Sequence, residues 1–274
     1  MQIAHVDDIA LAYERTGSGE PVLFISPVLA DGFLPLLRHP ALVDRYELIH
    51  YHRRGWADST HSPGPVSIRT HVSDAVGLMD HLEIECAHVV GHSSGAAVAA
   101  QLALDEPARA RTVSLLELSL LSLPQGQNFL RGAGPVFELY QSGAHEQAFA
   151  AFMTAVSGME WERCRAVLEQ GAPGVVAQSI QDADTFFGIE LPSLVEWSID
   201  AKQAAGIEQP VLSVLGAETL PLWVEVAAFL RANVPRLREV RVDGVGHLLH
   251  VQRPDPVASS IATFLRDHPV RGAA

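Results

Sequence analysis

Apolar and polar positions fall into blocks along the chain, and the length of each block separates strands from helices. Short, nearly uninterrupted apolar runs predict strands at Pro21–Ser26 (PVLFIS), Tyr46–Tyr51 (YELIHY), Ala87–Gly91 (AHVVG), Thr112–Leu118, Pro210–Leu215 (PVLSVL) and Leu237–Val242. Continuous runs of this kind suit strands covered on both faces. Leu11–Arg15 reads as a further strand, closed by the turn Thr16-Gly17-Ser18-Gly19. Helical spacing appears between these runs. Ser67–Leu82 places Ile68, Val72, Ala75, Val76, Met79 and Leu82 on one face, and Ser94–Leu104 is an alanine-rich helix. Leu222–Asn233 and Pro256–Arg266 are the last two helices, while His52–Pro65, rich in Gly, Pro, Ser and Arg, is a loop. Strands alternating with helices imply an α/β fold with a mostly parallel central sheet and helices on both faces.

The texture changes between about Leu120 and Ile207. Strand-like runs stop, and helical patterns such as His145–Ser157 and Trp161–Gln170 take over. Phe186, Phe187, Leu191, Leu194 and Trp197 cluster late in this stretch. The reading is a helical cap over residues 120–207, inserted between two parts of one α/β core, 1–119 and 208–274.

Composition narrows the function. With 48% hydrophobic residues in 274, the chain has ample material for a large core. Its net charge of −13 argues against nucleic acid or an anionic membrane surface as partner, since both would repel it. Two cysteines, Cys86 and Cys164, suggest a reduced compartment with no disulfide framework. The start, MQIAHVDDIALAYERTG, has neither a basic nor an apolar segment of the signal-peptide kind, and no run reaches the length of a membrane span. A cytoplasmic protein is expected.

The strongest local motif is Gly91-His92-Ser93-Ser94-Gly95, of the form G-x-S-x-G, between a buried strand and an alanine-rich helix. Such a turn exposes the Ser93 hydroxyl at a helix N-terminus, with the Ser94 N–H aimed at a developing oxyanion. A serine hydroxyl needs an adjacent base. Of 13 histidines, His247 in Val245-Gly246-His247-Leu248 follows the last strand and precedes the last helix. In a parallel sheet that is the same edge as Ser93. His250 lies three residues further on, but no other Cys, His or Asp cluster supports a metal there. No cofactor motif is present, and neither metal nor cofactor is expected.

Strand, G-x-S-x-G and helix near position 93, with Gly-His after the last strand, resemble the α/β-hydrolase family. His52-Arg53-Arg54-Gly55-Trp56-Ala57-Asp58-Ser59 is similar to that family's arginine-glycine loop. The resemblance spans essentially the whole chain outside the cap and implies the order nucleophile, acid, histidine. Two positions depart from the pattern. Ser26-Pro27 stands where His-Gly is usual, leaving Val28 to supply the second oxyanion N–H. Gly216-Ala217-Glu218-Thr219 places a threonine where the acid usually stands, and a threonine cannot stabilise an imidazolium. Two carboxylates remain as candidates: Glu218, one residue aside, and Glu117, which ends the strand SLLELS at the same sheet edge. Glu117 is favoured, because zearalenone-type lactonases, which this chain partly resembles, carry a Ser-Ser-Gly elbow and a glutamate after this strand.

These features imply a serine hydrolase acting on an ester or lactone of an apolar small molecule. Ser93 is the expected nucleophile, His247 the base and Glu117 the acid, with Val28 and Ser94 as oxyanion donors. Trp197, Phe186, Phe187 and Leu191 are the expected substrate contacts. A non-hydrolytic enzyme on the same fold (lyase, cyclase or cofactor-free oxygenase) is the rival reading, and a receptor without turnover is a third. Nothing in the sequence specifies the oligomeric state.

Overall fold

The computed structural model describes residues 1–270. Eight strands form one sheet: β1 (Gln2–Val6), β2 (Ile9–Gly17), β3 (Glu20–Ile25), β4 (Tyr46–Tyr51), β5 (Ala87–His92), β6 (Ala110–Leu116), β7 (Val211–Gly216) and β8 (Leu237–Val242). Their order across the sheet is β1-β2-β4-β3-β5-β6-β7-β8. β1 pairs antiparallel with β2, and β2 antiparallel with β4. From β4 to β8 every pair is parallel. The expected α/β class, with a mostly parallel sheet, is therefore what the chain forms.

Burial follows position in the sheet. All six residues of β5 and all six of β7 are buried, as their continuous apolar sequences require. β8 lies at the edge and is mostly half-exposed. β1 is a strand that the apolar pattern does not predict. It is short and lies at the opposite edge, burying only Ala4 and Val6, so its sequence has a weak alternating signal. β2 is longer than expected, running through Thr16 and Gly17 to pair with β4.

Helices cover both faces, among them Ile68–His81, Ser94–Asp105, Pro221–Asn233 and Pro254–Arg266. One apolar cluster gathers Ala97, Val98, Leu78, Ala75 and Trp223 with the helical segment; the other gathers Phe24, Leu48, Val90, Ile261 and Phe264. Between β6 and β7 the chain makes only helices: Pro124–Gly132, Gly134–Gln141, His145–Ser157, Trp161–Gly171, Val175–Gln181, a π-helical stretch Asp184–Glu190, Leu191–Glu196 and Ala201–Ala205. Cys86 and Cys164 are both free thiols. Among the described residues, no helix is long and apolar enough to cross a membrane.

The chain order reverses at β3. The connection from β3 goes to β4 on one side, and β5 then returns to the other side of β3. The crevice beyond the C-terminal ends of β3 and β5 is where open α/β sheets place ligands.

Candidate active site

Ser93 follows β5 directly and has φ +55° and ψ −119°, a left-handed backbone rarely adopted by a residue with a side chain. The turn is held on three sides. The Ser93 N–H donates to Leu116 O at 3.0 Å, and the Ser93 carbonyl accepts from Ala96 and Ser119. The flanking glycines are steric requirements. A Cβ on Gly95 would run into the Ile25 carbonyl oxygen of β3, and one on Gly91 into the Gly95 carbonyl. Helix and strand meet this closely only because both side chains are absent.

Three side chains from three strand ends meet at this turn. His247, beyond β8, brings Nε2 to 3.2 Å from Ser93 Oγ. Its Nδ1 lies 2.7 Å from Glu117 Oε2. Glu117 lies one residue beyond the end of β6, rather than inside the strand as expected, and its φ is +44°. That kink turns its carboxyl along the sheet edge to β7. There Oε1 accepts the Gly216 N–H at 2.8 Å, and Oε2 accepts the Thr219 hydroxyl at 3.0 Å. Thr219, at the position where the family pattern has an acid, thus donates its hydroxyl to the Glu117 carboxyl. Glu218, the other candidate, is exposed, and only its backbone N–H points inward, to Val245 O.

The chain of three is dry. Burial pushes the Glu117 carboxyl up to about 8, against the Gly216 N–H and Thr219 hydroxyl that favour its charged form. Burial pushes the His247 imidazole down to about 3. Both shifts have burial as their first cause, so water offers little competition to the hydrogen bonds that join Glu117, His247 and Ser93.

Several contacts carry no local sequence signal. The Trp223 ring stacks on His247 with centroids 3.9 Å apart and 5° between planes, and its Nε1–H donates to Val156 O. His92 reaches the His247 carbonyl with Nε2 at 2.9 Å, and its ring lies between those of His247 and His250. Ser119 Oγ lies 3.1 Å from Ser93 Oγ. Each partner is distant in sequence, so only the fold reveals the pair.

Val28, Ser93 and Ser94 line one small cavity of about 20 Å³, closed by apolar side chains that include Phe152, Phe186, Leu191 and Trp223. Of the four expected substrate contacts, Phe186 and Leu191 line this cavity, together with Phe152, which the sequence did not single out. Phe187 and Trp197 stand elsewhere. Phe187 stacks on Tyr140 within the helical segment, with ring centroids 5.2 Å apart. Trp197 is buried against the Ser94–Asp105 helix and donates Nε1–H to Gln101 Oε1 at 2.9 Å. Its polar atom is satisfied by the scaffold and so is not available to a ligand. A second apolar cavity of about 210 Å³ shares Phe129, Phe152 and Leu191 with the first.

Comparison with known proteins gives this arrangement its relatives. A family profile described as alpha/beta hydrolase fold matches residues 30–254. A putative carbamate hydrolase RutD of Azorhizobium caulinodans is 32% identical over 263 residues, covering 93% of this chain and 94% of that protein. A dihydrolipoyllysine-residue acetyltransferase component of the acetoin cleaving system of Cupriavidus necator is 38% identical over 116 residues. That match covers 42% of this chain and only 31% of the longer protein. Among solved structures, a thermophilic esterase from Thermogutta terrifontis superposes with a TM-score of 0.83 at 19% identity, covering 98% of this chain and all of that one. The enol-lactonase from Burkholderia xenovorans LB400 superposes with a TM-score of 0.75 at 19% identity, covering 97% of this chain and 100% of that one. The chain is a hydrolase of the alpha/beta fold and belongs to the α/β-hydrolase fold family.

Proposed function

We propose that the protein is a serine hydrolase that cleaves a carboxylic ester or lactone of an apolar small molecule through an acyl-enzyme. One observation carries the reading: the continuous chain from Ser93 Oγ through both nitrogens of His247 to Glu117, at 3.2 and 2.7 Å. In this scheme Ser93 Oγ attacks the carbonyl carbon while His247 Nε2 takes its proton. The Glu117 carboxylate holds the Nδ1–H tautomer and offsets the positive imidazolium. The carbonyl π electrons move to oxygen, which the N–H groups of Val28 and Ser94 receive. Collapse expels the alkoxide, which takes the proton from His247; water then repeats the sequence to release the acid.

The segment over residues 120–207 acts as the cap, and Phe152, Phe186 and Leu191 present its apolar surface to the substrate. Walls of this kind suit a substrate with few polar groups. The inner cavity is smaller than any ester, so the acyl or alkyl arm displaces cap side chains toward the adjoining cavity.

Acid release on a pH-stat tests the reading with matched linear esters and large-ring lactones; alkyl carbamates, tried because of the likeness to a putative carbamate hydrolase, are followed by ammonia release. Wild type is run beside Ser93→Ala. Release that disappears in Ser93→Ala supports the scheme, and the series that turns over names the substrate class. No release from any series would move the protein to the non-hydrolytic chemistries found on this fold.

A further inference from the structure

Arg53 is a fully buried cation outside the hydrogen-bonded chain of Ser93, His247 and Glu117 (1% exposed). It lies just after β4, and its guanidinium is spent on three sets of partners: two backbone carbonyls, Glu190, and His71, whose Nε2 lies 3.2 Å from Nη1. Nε donates to Ser26 O at 2.8 Å and Nη2 to Pro27 O at 3.1 Å. Nη1 and Nη2 also form a two-pronged pair with Glu190, at 2.6 and 3.0 Å. Glu190 closes the π-helical stretch of the cap, and its carboxylate further accepts Trp56 Nε1–H at 2.9 Å. A salt bridge this deep is a poor source of stability, because desolvating two ions costs as much as their attraction returns. Its placement needs another explanation.

Peptide geometry supplies one. The Pro27–Val28 bond is trans, since there are no cis peptides among the described residues. In a trans peptide the C=O and the following N–H lie in one plane and point opposite ways. Arg53 occupies the carbonyl side of that peptide. The Val28 N–H must therefore point away from Arg53, and Val28 shares the small cavity with Ser93 and Ser94. No acceptor among the described residues takes this N–H.

We infer that Arg53, oriented by Glu190, is a positioning residue: it fixes the rotation of the Pro27–Val28 peptide and so aims the Val28 N–H at the substrate oxyanion. The cation at the carbonyl end also polarises the same amide, making the N–H a stronger donor. Because Glu190 comes from the cap, a correctly seated cap is what completes the oxyanion site. The inference rests on the acyl-enzyme reading above.

Kinetics of Arg53→Lys and Glu190→Gln test it, with p-nitrophenyl butyrate as substrate and rates taken per folded molecule from circular dichroism. Two ligands separate positioning from mere support. 1,1,1-Trifluoro-2-hexanone adds Ser93 Oγ to its carbonyl carbon, passing the serine proton to His247 and leaving an oxyanion in the site. 2-Hexanone, which does not add, reports ordinary binding. Losing one oxyanion donor outright costs about 10²–10³ in kcat, so a misaimed donor is expected to cost about 10–100-fold. KM should stay within about threefold, because the donor acts mainly on the transition state. Affinity for the trifluoroketone should fall by the same factor as kcat/KM, with 2-hexanone unchanged. Folded variants that keep wild-type kcat and trifluoroketone affinity overturn this inference alone. So does an equal loss of both ketones, which marks a structural role. A wild type that neither turns over the ester nor forms the adduct overturns the acyl-enzyme reading as well.

Discussion

Replacing Glu117 by Gln removes one charge while keeping the side chain's shape, and the structure sets how much that should cost. The carboxylate serves three donors: Gly216 N–H on one oxygen, the Thr219 hydroxyl and His247 Nδ1 on the other. An amide cannot serve all three. With its oxygen on Gly216, its NH₂ faces Nδ1, and the imidazole proton is driven to Nε2, opposite Ser93 Oγ. The base has then lost its lone pair, and a wrong tautomer of this kind costs about 10⁴ in kcat. Flipping the amide restores an acceptor to Nδ1 but sets NH₂ against the buried Gly216 N–H, at about 1–3 kcal/mol. The flipped form still lacks the charge that offsets the imidazolium. Between these limits, Glu117→Gln should lower kcat/KM by about 10³, on the order of 4 kcal/mol at 1.36 kcal/mol per decade. The assay is acid release at constant pH from whichever ester the wild type cleaves, with thermal unfolding in parallel. The fold should persist, because the amide relieves the burial of a carboxyl. Glu117→Gln within tenfold of wild type would refute the reasoning, and so would an equal loss in Glu218→Gln.

Three further outcomes are expected. Adding Thr219→Asp to Glu117→Gln should recover at least tenfold of the lost kcat/KM, because the Thr219 hydroxyl lies 3.0 Å from the carboxyl oxygen that faces His247; no recovery would mean that the new carboxylate cannot reach Nδ1. Phe152→Ala joins the cavities of about 20 and 210 Å³, so kcat/KM for long-chain esters should rise relative to acetyl esters, and an unchanged chain-length profile would place the substrate arm elsewhere. Burial holds both His71 and His247 down to about 3, while the unfolded chain protonates them near 6.5. Between those values the unfolded state binds more protons at these two groups, so their stabilisation is fully present above about 6.5 and is lost as pH falls toward 3, while Glu117, raised from 4.5 to about 8, acts in the opposite sense with half their combined weight. Urea midpoints measured from pH 6 to 4, where the two histidines outweigh Glu117, should fall, and should fall less steeply in His71→Phe; an equal slope in the two proteins would exclude His71 as a contributor.

What could be read from the sequence, and what could not, divides by the range of the interaction responsible. Ser93 is legible because the elbow is a local device: a buried strand, two glycines and a helix within a few residues suffice to form it. His247 is legible because a parallel sheet puts the end of its last strand on the same edge as the others. Glu117 is legible once Thr219 is seen to occupy the usual acid position, although the positive φ that aims it is not written in SLLELS. Contacts made across the fold could not be read. The aromatic residues of the helical segment are equivalent along the chain, yet Phe186 faces the cavity while Trp197 is spent on Gln101 and Phe187 on Tyr140. Phe152 lies in an ordinary helical pattern and gains its place only when the helices between β6 and β7 fold over the sheet edge. Arg53 was one basic residue of a loop, and its partner Glu190 lies 137 residues away. The sequence alone thus determined the α/β architecture and the placing of Ser93 and His247 at one sheet edge, because periodicity and turn chemistry act between neighbours in the chain. The tertiary structure alone decided the carboxyl's hydrogen bonds, the cavity wall and the buried Arg53–Glu190 pair, because each depends on which distant side chains burial forces into contact.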